Sequence, residues 1–505
     1  VTRGPSLRTS LIVAILGSTM AFLDGTVVNV ALPVMQRVLD ATVVEMQWVV
    51  EAYALALASL ILVGGALGDR LGRKRVFLTG VVLFAVASAA CGAAESATAL
   101  IAARALQGVG GALLVPGSLA LITAAYPEEA RGRAIGTWSA ASAITGAVGP
   151  VLGGWVVTHA SWRWLFLFNV PIAAVVVALA ARGVDETRDE GASGRVDVAG
   201  ALLAIVGLGA IVVALLEAPA SGGLAAPKTL LLLALGAVTL VGFAVVESRS
   251  AHPMMPLALF RSRTFAGTNL LTLTLYASLG GGFFFIPFDL VQVEGYSPAE
   301  AGGALLPMII LISVMSPFAG AVVKRFGSRV PLVVGPLGAA GGFALLAIAT
   351  AGGRYWTTVF PGIAVLGVGM GITVAPLTTA VMGSVDSRHA GVASGVNNAV
   401  SRAAGLLAVA ALGIVLTTRF DSMLDRALDA MAAPTNVRAV LAVERAKLAG
   451  ADLGAIELPM RDAVHDAVLG AYASGFRAMM LVCAGLAVAG AVFSALFVED
   501  RTAAR

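Results

Sequence analysis

The sequence predicts an all-α membrane protein with 14 transmembrane helices, arranged as two six-helix halves plus two inserted helices. Three observations predict it. Of the 505 residues, 58% are hydrophobic and only 12% are charged, about half the charged share of a soluble domain. Apolar runs long enough to cross a bilayer recur along the whole chain. A charged loop motif occurs twice, eight spans apart.

The spans fall at about 11–33, 47–68, 76–94, 98–122, 134–157, 164–181, 197–216, 229–247, 265–290, 299–323, 331–350, 357–382, 391–417 and 476–497. The 59 glycines occur within these runs, where small residues let helices approach closely. No run shows the alternation of a lipid-facing strand. The first run ends at Pro33 without a small-residue cleavage site and reads as a span, not a removed leader.

Basic residues set the orientation. With an even span count both termini share a side. That side carries twenty basic residues in its loops and tails, among them Arg70, Arg73, Lys74 and Arg75; Arg131 and Arg133; Arg182, Arg188 and Arg195; and Arg388. The short loops opposite hold only Arg37, Arg163, Lys228 and Arg354. Both termini are therefore expected in the cytoplasm, with the chain multi-pass in the cytoplasmic (inner) membrane.

The long loop 418–475 is expected outside. In it, Phe420, Met423, Leu424, Ala427, Leu428 and Met431 follow helical spacing, as in a cap packed on the outer surface or at the interface. "GYSPAEAG" before span 10 reads as a capping box on Ser297 and Glu300, with Pro298 at N1.

Net charge is +4, too small to suggest nucleic-acid binding. Cys91 and Cys483 sit in apolar runs as small packing residues. The four histidines are scattered among loops, so no metal cluster is expected. No phosphate-cradling G-x-x-x-x-G-K-[ST] loop is present, which disfavours ATP as the energy source. The chain does not read as an enzyme.

"GGALGDRLGRKRV" (64–76) and "FAGAVVKRFGSRV" (318–330) align with Gly65 on Gly320. Eight spans separate them where six would suffice for two halves. The chain thus divides into a six-helix bundle at 1–182, two inserted helices with flanking loops at 183–264, and a second six-helix bundle at 265–505. Parallel repeats of this kind are typical of transporters.

Four motifs stand in order. The span 2–3 loop carries Gly65, Asp69, Arg70, Gly72 and Arg73, with glycines for a tight turn and close helix contact. Asp69 is placed to pair with arginines or to cap a helix N-terminus, latching one conformation. "RALQGVGGALLVPG" in span 4 carries Arg104 and Gln107; a guanidinium inside a span needs a partner. "GAVGPVLGGW" in span 5 carries Gly146, Gly149, Pro150, Gly153 and Gly154, a groove of small residues beside a potential bend. The first span carries Asp24, Thr26, Asn29, Ala31, Leu32 and Pro33. A carboxylate at the centre of a span costs about 2.5–3.5 kcal/mol on insertion scales.

In these four motifs the chain resembles the major facilitator superfamily, and within it the fourteen-span drug:proton antiporter group. The resemblance implies the major facilitator fold and a proton-coupled antiporter that exports lipophilic, cationic drugs or toxic compounds. The alternative is a proton-driven exporter dedicated to one endogenous product such as a lipid, antibiotic or siderophore. It implies no cofactor beyond the proton gradient, and as partners small-molecule substrates, protons and membrane lipid. A monomer is expected. It gives Asp24 and Arg104 a part in proton coupling, the span 2–3 loop a part in gating, and the span 5 motif to antiporters.

At about 1.5 Å per residue, Asp24 lies about 13 Å below the outer end of span 1, Arg104 about 9 Å down span 4 and Glu51 about 6 Å down span 2. Asp289 sits near the outer end of span 9. Glu51 and Asp289 are expected to supply negative field for a cationic substrate or to relay protons, with Asn29 as a further candidate for substrate binding or proton relay; the bland alternative for the two acids is that they reach water without a role. Tyr53, Tyr276, Phe283, Phe284 and Phe285 are candidates to stack on a flat cation, against plain packing. Arg402 is a further charge within span 13, its role left open.

Overall fold

The structure is a computed structural model that describes residues 7–188, 198–250, 255–349, 352–386 and 390–499. Arg3, Arg195, Arg388, Arg501 and Arg505, counted above for orientation, lie outside these residues.

The described residues form helices and no strand. They are α1 (Leu7–Val38), α2 (Val43–Leu71), α3 (Arg73–Ala93), α4 (Ala97–Ala125), α5 (Glu128–His159), α6 (Trp164–Leu167), α7 (Asn169–Gly183), α8 (Val198–Glu217), α9 (Pro227–Arg249), α10 (Arg263–Phe288), α11 (Pro298–Ala304), α12 (Leu306–Phe326), α13 (Arg329–Ile348), α14 (Tyr355–Gly383), α15 (Ala390–Ala430), α16 (Thr435–Glu444) and α17 (Met460–Phe497). Fourteen stretches are long and apolar enough to cross a membrane, with mean hydropathy from 1.3 to 2.7. Three of them are composite: α6 with α7, α10 with the π-helical turn Asp289–Val293, and α11 with the start of α12. In lipid every backbone group needs an internal partner, which helices supply.

The chain divides into two compact units. One comprises Val1–Ala41, Glu45–Ala210 and Leu235–Met254; the other comprises Thr42–Val44, Ile211–Ala234 and Met255–Arg505. Each of the inserted helices α8 and α9 contributes to both. The core of the first unit runs through Met20 of α1, Phe77 and Phe84 of α3, Leu114 of α4 and Val176 of α7, all essentially inaccessible.

The repeat seen in sequence is also a repeat of geometry. A shift of 255 residues carries the end of α2, Leu71, onto the end of α12, Phe326. It carries Gly72 (φ 114°) onto Gly327 (φ 75°), both in the left-handed region that favours glycine. It carries Gly80 onto Gly335. A Cβ on Gly80 would stand 2.7 Å from the Leu114 nitrogen, and one on Gly335 2.7 Å from the Gly369 oxygen. The same close crossing, α3 on α4 and α13 on α14, is thus built twice.

The capping box forms: Ser297 Oγ accepts from the Glu300 N–H at 3.2 Å, and Glu300 Oε2 accepts from the Ser297 N–H at 2.8 Å. The segment 418–475 differs from a loop carrying a separate cap. No breaker interrupts the chain after residue 417, so α15 continues to Ala430, and α17 already begins at Met460. The amphipathic stripe lies on this extension, with Phe420, Leu424 and Leu428 buried. Arg445 pairs with Asp425 at 2.7 Å and Arg438 with Asp429 at 2.8 Å.

Candidate functional site

The opening carboxylate has its partner. Asp24 on α1 and Arg104 on α4 form an ion pair, each about 1% exposed. Gln107 stands one turn beyond Arg104 on the same face of α4. It donates to Asp24 Oδ1 at 2.8 Å and accepts from Arg104 at 2.7 Å. Its amide also donates to Ser88 Oγ at 3.1 Å. Ser88 accepts from Asn169 Nδ2 at 2.9 Å and donates to the Phe166 carbonyl at 2.9 Å. Cys91 Sγ lies 3.7 Å from Gln107 Oε1. The site is a closed polar chain linking α1, α4, α3, α6 and α7.

Arg104 has further support. Its Nε donates to the Val49 carbonyl at 3.0 Å, and its guanidinium sits 4.2 Å from the centre of the Tyr53 ring. Tyr53 in turn donates to the Ala21 carbonyl at 3.2 Å. The cation that Tyr53 faces is therefore Arg104, within the protein, and not one from outside. Phe284 and Phe285 are buried against each other and Phe288, as in plain packing.

The glycines of the span 4 motif explain how so many helices converge here. A Cβ on Gly108 would stand 2.5 Å from the Tyr53 backbone carbonyl oxygen, and one on Gly110 2.6 Å from the Phe84 backbone nitrogen. Without side chains, α4 draws α2 and α3 against the turn that bears Arg104 and Gln107. Removing one member of such a buried pair leaves an uncompensated charge, which costs about 3–5 kcal/mol.

The span 5 motif touches the same region. A Cβ on Gly149 would lie 2.1 Å from Thr26 Oγ1, and one on Gly153 2.7 Å from the Val27 carbonyl oxygen. Thr26 and Val27 follow Asp24 by two and three residues. Gly154 is buried and Pro150 half-buried within α5. Gly146 differs from the expected groove: no described residue outside its own helical turn lies within 4 Å of its Cβ position. The close contact therefore begins at Gly149.

Glu51 on α2 is also buried, and its Oε2 has no hydrogen-bond partner among the described residues. Asn29 is half-buried on α1, about 140° around the helix from Asp24. Asp289 belongs to the second unit. It opens a π-helical turn, Asp289–Val293, after α10 and lines a cavity of about 40 Å³ with Glu294, Phe476 and Arg477. Glu294 lies just past that turn. Burial pushes its carboxyl above the ordinary glutamate range, while the Gly352 N–H it accepts at 3.1 Å pulls the other way.

In the span 2–3 loop, Asp69 accepts from Arg73 at 2.8 Å, and Arg70 is exposed. Gly72 makes the turn with φ 114°. Gly65 has only ordinary contact, 3.6 Å to Pro116. The close approach belongs to its neighbour Gly64, whose Cβ would stand 2.1 Å from the Ala112 oxygen. The start of α3 is capped by Glu186 and not by Asp69: the Glu186 carboxylate accepts from the N–H groups of Lys74 and Arg75, each at 3.0 Å.

Fourteen apolar helices, a twofold internal repeat and a sealed ion pair among the helices define a polytopic transporter. The chain belongs to the Major Facilitator Superfamily, whose family model matches residues 14–409. It is 35% identical over 493 residues to the tetracenomycin C resistance and export protein of Streptomyces glaucescens, covering 97% of this chain and 91% of the relative. It is 37% identical over 426 residues to the multidrug resistance protein Stp of Mycobacterium tuberculosis, covering 84% and 79%. Among solved structures, the fold is similar to a bacterial homologue of the human lysosomal transporter Spinster in an inward-facing, unoccupied conformation. The TM-score is 0.69 at 17% identity, over 99% of both chains. The protein is a transporter and not an enzyme.

Proposed function

We propose that this transporter is a proton-coupled antiporter that exports lipophilic, cationic drugs or toxic compounds across the cytoplasmic membrane, with both termini inside. The observation that carries the reading is the buried pair Asp24–Arg104 closed by Gln107. A proton taken up by Asp24 would cancel one charge of the pair. Arg104 would not then be orphaned: the Val49 carbonyl, Gln107 Oε1 and the Tyr53 ring remain as partners. Such a site can exist in two charge states without losing its frame. Antiport follows if one charge state favours the substrate-binding arrangement and the other the empty one.

With Asp24 sealed from solvent, the coupling in this reading runs through the pair, and the substrate does not touch the carboxylate. Glu51 and Asp289 are the acids proposed to supply field for a cation or to relay protons. The span 5 contact of Gly149 and Gly153 with Thr26 and Val27 supports the reading, because it ties the antiporter-type motif to the turn that bears Asp24. The similarity to resistance and export proteins supports export as the direction.

A second reading, an exporter dedicated to one product, is favoured by a relative named for a single antibiotic. Inside-out membrane vesicles test the first. Acidifying the lumen should drive uptake of ethidium, and an uncoupler should abolish it. Export of one endogenous compound with no response to ethidium would support the second reading. Uptake in the same direction as the proton would sink both.

A further inference from the structure

The first turn of α3 begins on a residue that cannot cap it. Gly72 occupies the N-cap position and has no side chain to offer. The first N–H groups of a helix have no partner inside it. Those of Arg73, Lys74 and Arg75 all find theirs in one short segment more than a hundred residues later. Arg73 N–H donates to the Thr187 carbonyl at 2.8 Å. Lys74 and Arg75 N–H donate one each to the two oxygens of Glu186, at 3.0 Å.

The same segment is held at two further points. The Lys74 ammonium donates to the Val184 carbonyl at 2.7 Å, and Val184 is buried in the core of the first unit. The Glu186 carboxylate also occupies the space beside Gly72: a Cβ there would stand 2.6 Å from it. Gly72 is thus required to be glycine twice, once by φ 114° and once by the carboxylate packed against it. The charge agrees, because the carboxylate sits on the first N–H groups of α3, at the positive end of a helix.

We propose that Glu186 is a positioning residue for transport. The strap Val184–Thr187, leaving α7, clamps the start of α3, so the span 2–3 loop with its Asp69–Arg73 pair moves as one piece with the end of α7. In this proposal the loop keeps its working geometry because a distant carboxylate holds it, and the transport rate depends on that hold. The proposal rests on the protein being a transporter, not on which ion drives it.

Hydrogen exchange on the detergent-purified full chain tests the clamp without any substrate. Glu186→Ala should speed exchange of the amides at 73–76 by tenfold or more, leaving α4 and α13 unchanged. In proteoliposomes, with ethidium as the probe, Glu186→Ala should lower turnover about three- to tenfold at a KM within about twofold of the parent. Glu186→Gln, which keeps one acceptor oxygen, should fall between. Gly72→Ala should cost less turnover in the Glu186→Ala background than in the parent, because the carboxylate it would strike is gone.

Unchanged protection at 73–76 in Glu186→Ala would overturn the clamp. Lost protection with parental turnover would reduce Glu186 to a structural cap and overturn the positioning role. Additive effects of Gly72→Ala and Glu186→Ala would overturn the pairing of glycine and carboxylate. A parent that does not transport ethidium would count against the cationic-drug reading, and the exchange experiment would still decide the clamp.

Discussion

Gly149 of α5 and Thr26 of α1 stand so close that a Cβ on the glycine would lie 2.1 Å from the threonine hydroxyl oxygen. Thr26 is fixed in turn, since its hydroxyl donates to the Leu23 carbonyl at 3.1 Å. Gly149→Ala should therefore push α5 away from the turn that bears Asp24, costing about 1–3 kcal/mol in stability and most of the transport. Gly146→Ala, whose new methyl would meet no described residue outside its own helical turn within 4 Å, should change neither. Melting temperatures of the two variants in detergent, with ethidium transport beside them, check this. Equal effects at both positions would contradict it.

The Gly64 and Gly65 pair allows the same contrast at the end of α2. Gly64→Ala places a methyl 2.1 Å from the Ala112 oxygen, a backbone atom that cannot turn aside, whereas Gly65→Ala meets Pro116 at 3.6 Å. The first should destabilise by about 1–3 kcal/mol and the second by less than about 0.5. Thermal unfolding of each single variant measures the difference.

Gln107 saturates the ion pair. Replacing it with leucine removes a donor to Asp24, an acceptor for Arg104 and a donor to Ser88. Buried polar groups left unpaired cost about 1–3 kcal/mol. Gln107→Leu should lower the melting temperature and shift the pH dependence of transport. A shift in stability alone would leave Gln107 a purely structural member of the site.

Glu294 gives a prediction in pH. Burial raises its carboxyl above the ordinary value. Between the two values the folded protein holds a proton that the unfolded chain has released, so stability falls as pH rises through that window. Glu294→Gln removes the titrating group. Melting curves of parent and variant should converge at the acid end of the window and separate above it, the variant being the more stable. Parallel curves would argue against it.

Much of the fold was legible. Apolar runs of bilayer length gave the span count, and the alignment of Gly65 with Gly320 located a repeat that extends to the φ of Gly72 and Gly327. In the site, helical rise alone put Asp24 and Arg104 at similar depth, and an arginine in a span needs a partner. The rest depended on contacts between helices. Ser88, Asn169 and Tyr53 are single polar residues in apolar runs, and nothing in their spacing says that Ser88 meets Gln107, Asn169 meets Ser88 or Tyr53 faces Arg104. Glu186 is 112 residues from Lys74 along the chain and looks like one more loop charge. The choice between Gly64 and Gly65 is a matter of which side of α2 faces α4. The extension of α15 was hidden because an amphipathic stripe has the same period whether its helix is separate or continuous.

The central claim is that Asp24, paired with Arg104, is where the proton couples to transport. Its most direct measurement is ethidium efflux from proteoliposomes under an imposed pH gradient, comparing the parent with Asp24→Asn at equal reconstituted amounts. Asparagine keeps the shape of the site and an oxygen for Arg104 but cannot titrate. The account predicts that the gradient accelerates efflux by the parent and not by Asp24→Asn, while downhill ethidium exchange persists in the variant. Gradient-driven efflux undiminished in Asp24→Asn would contradict it.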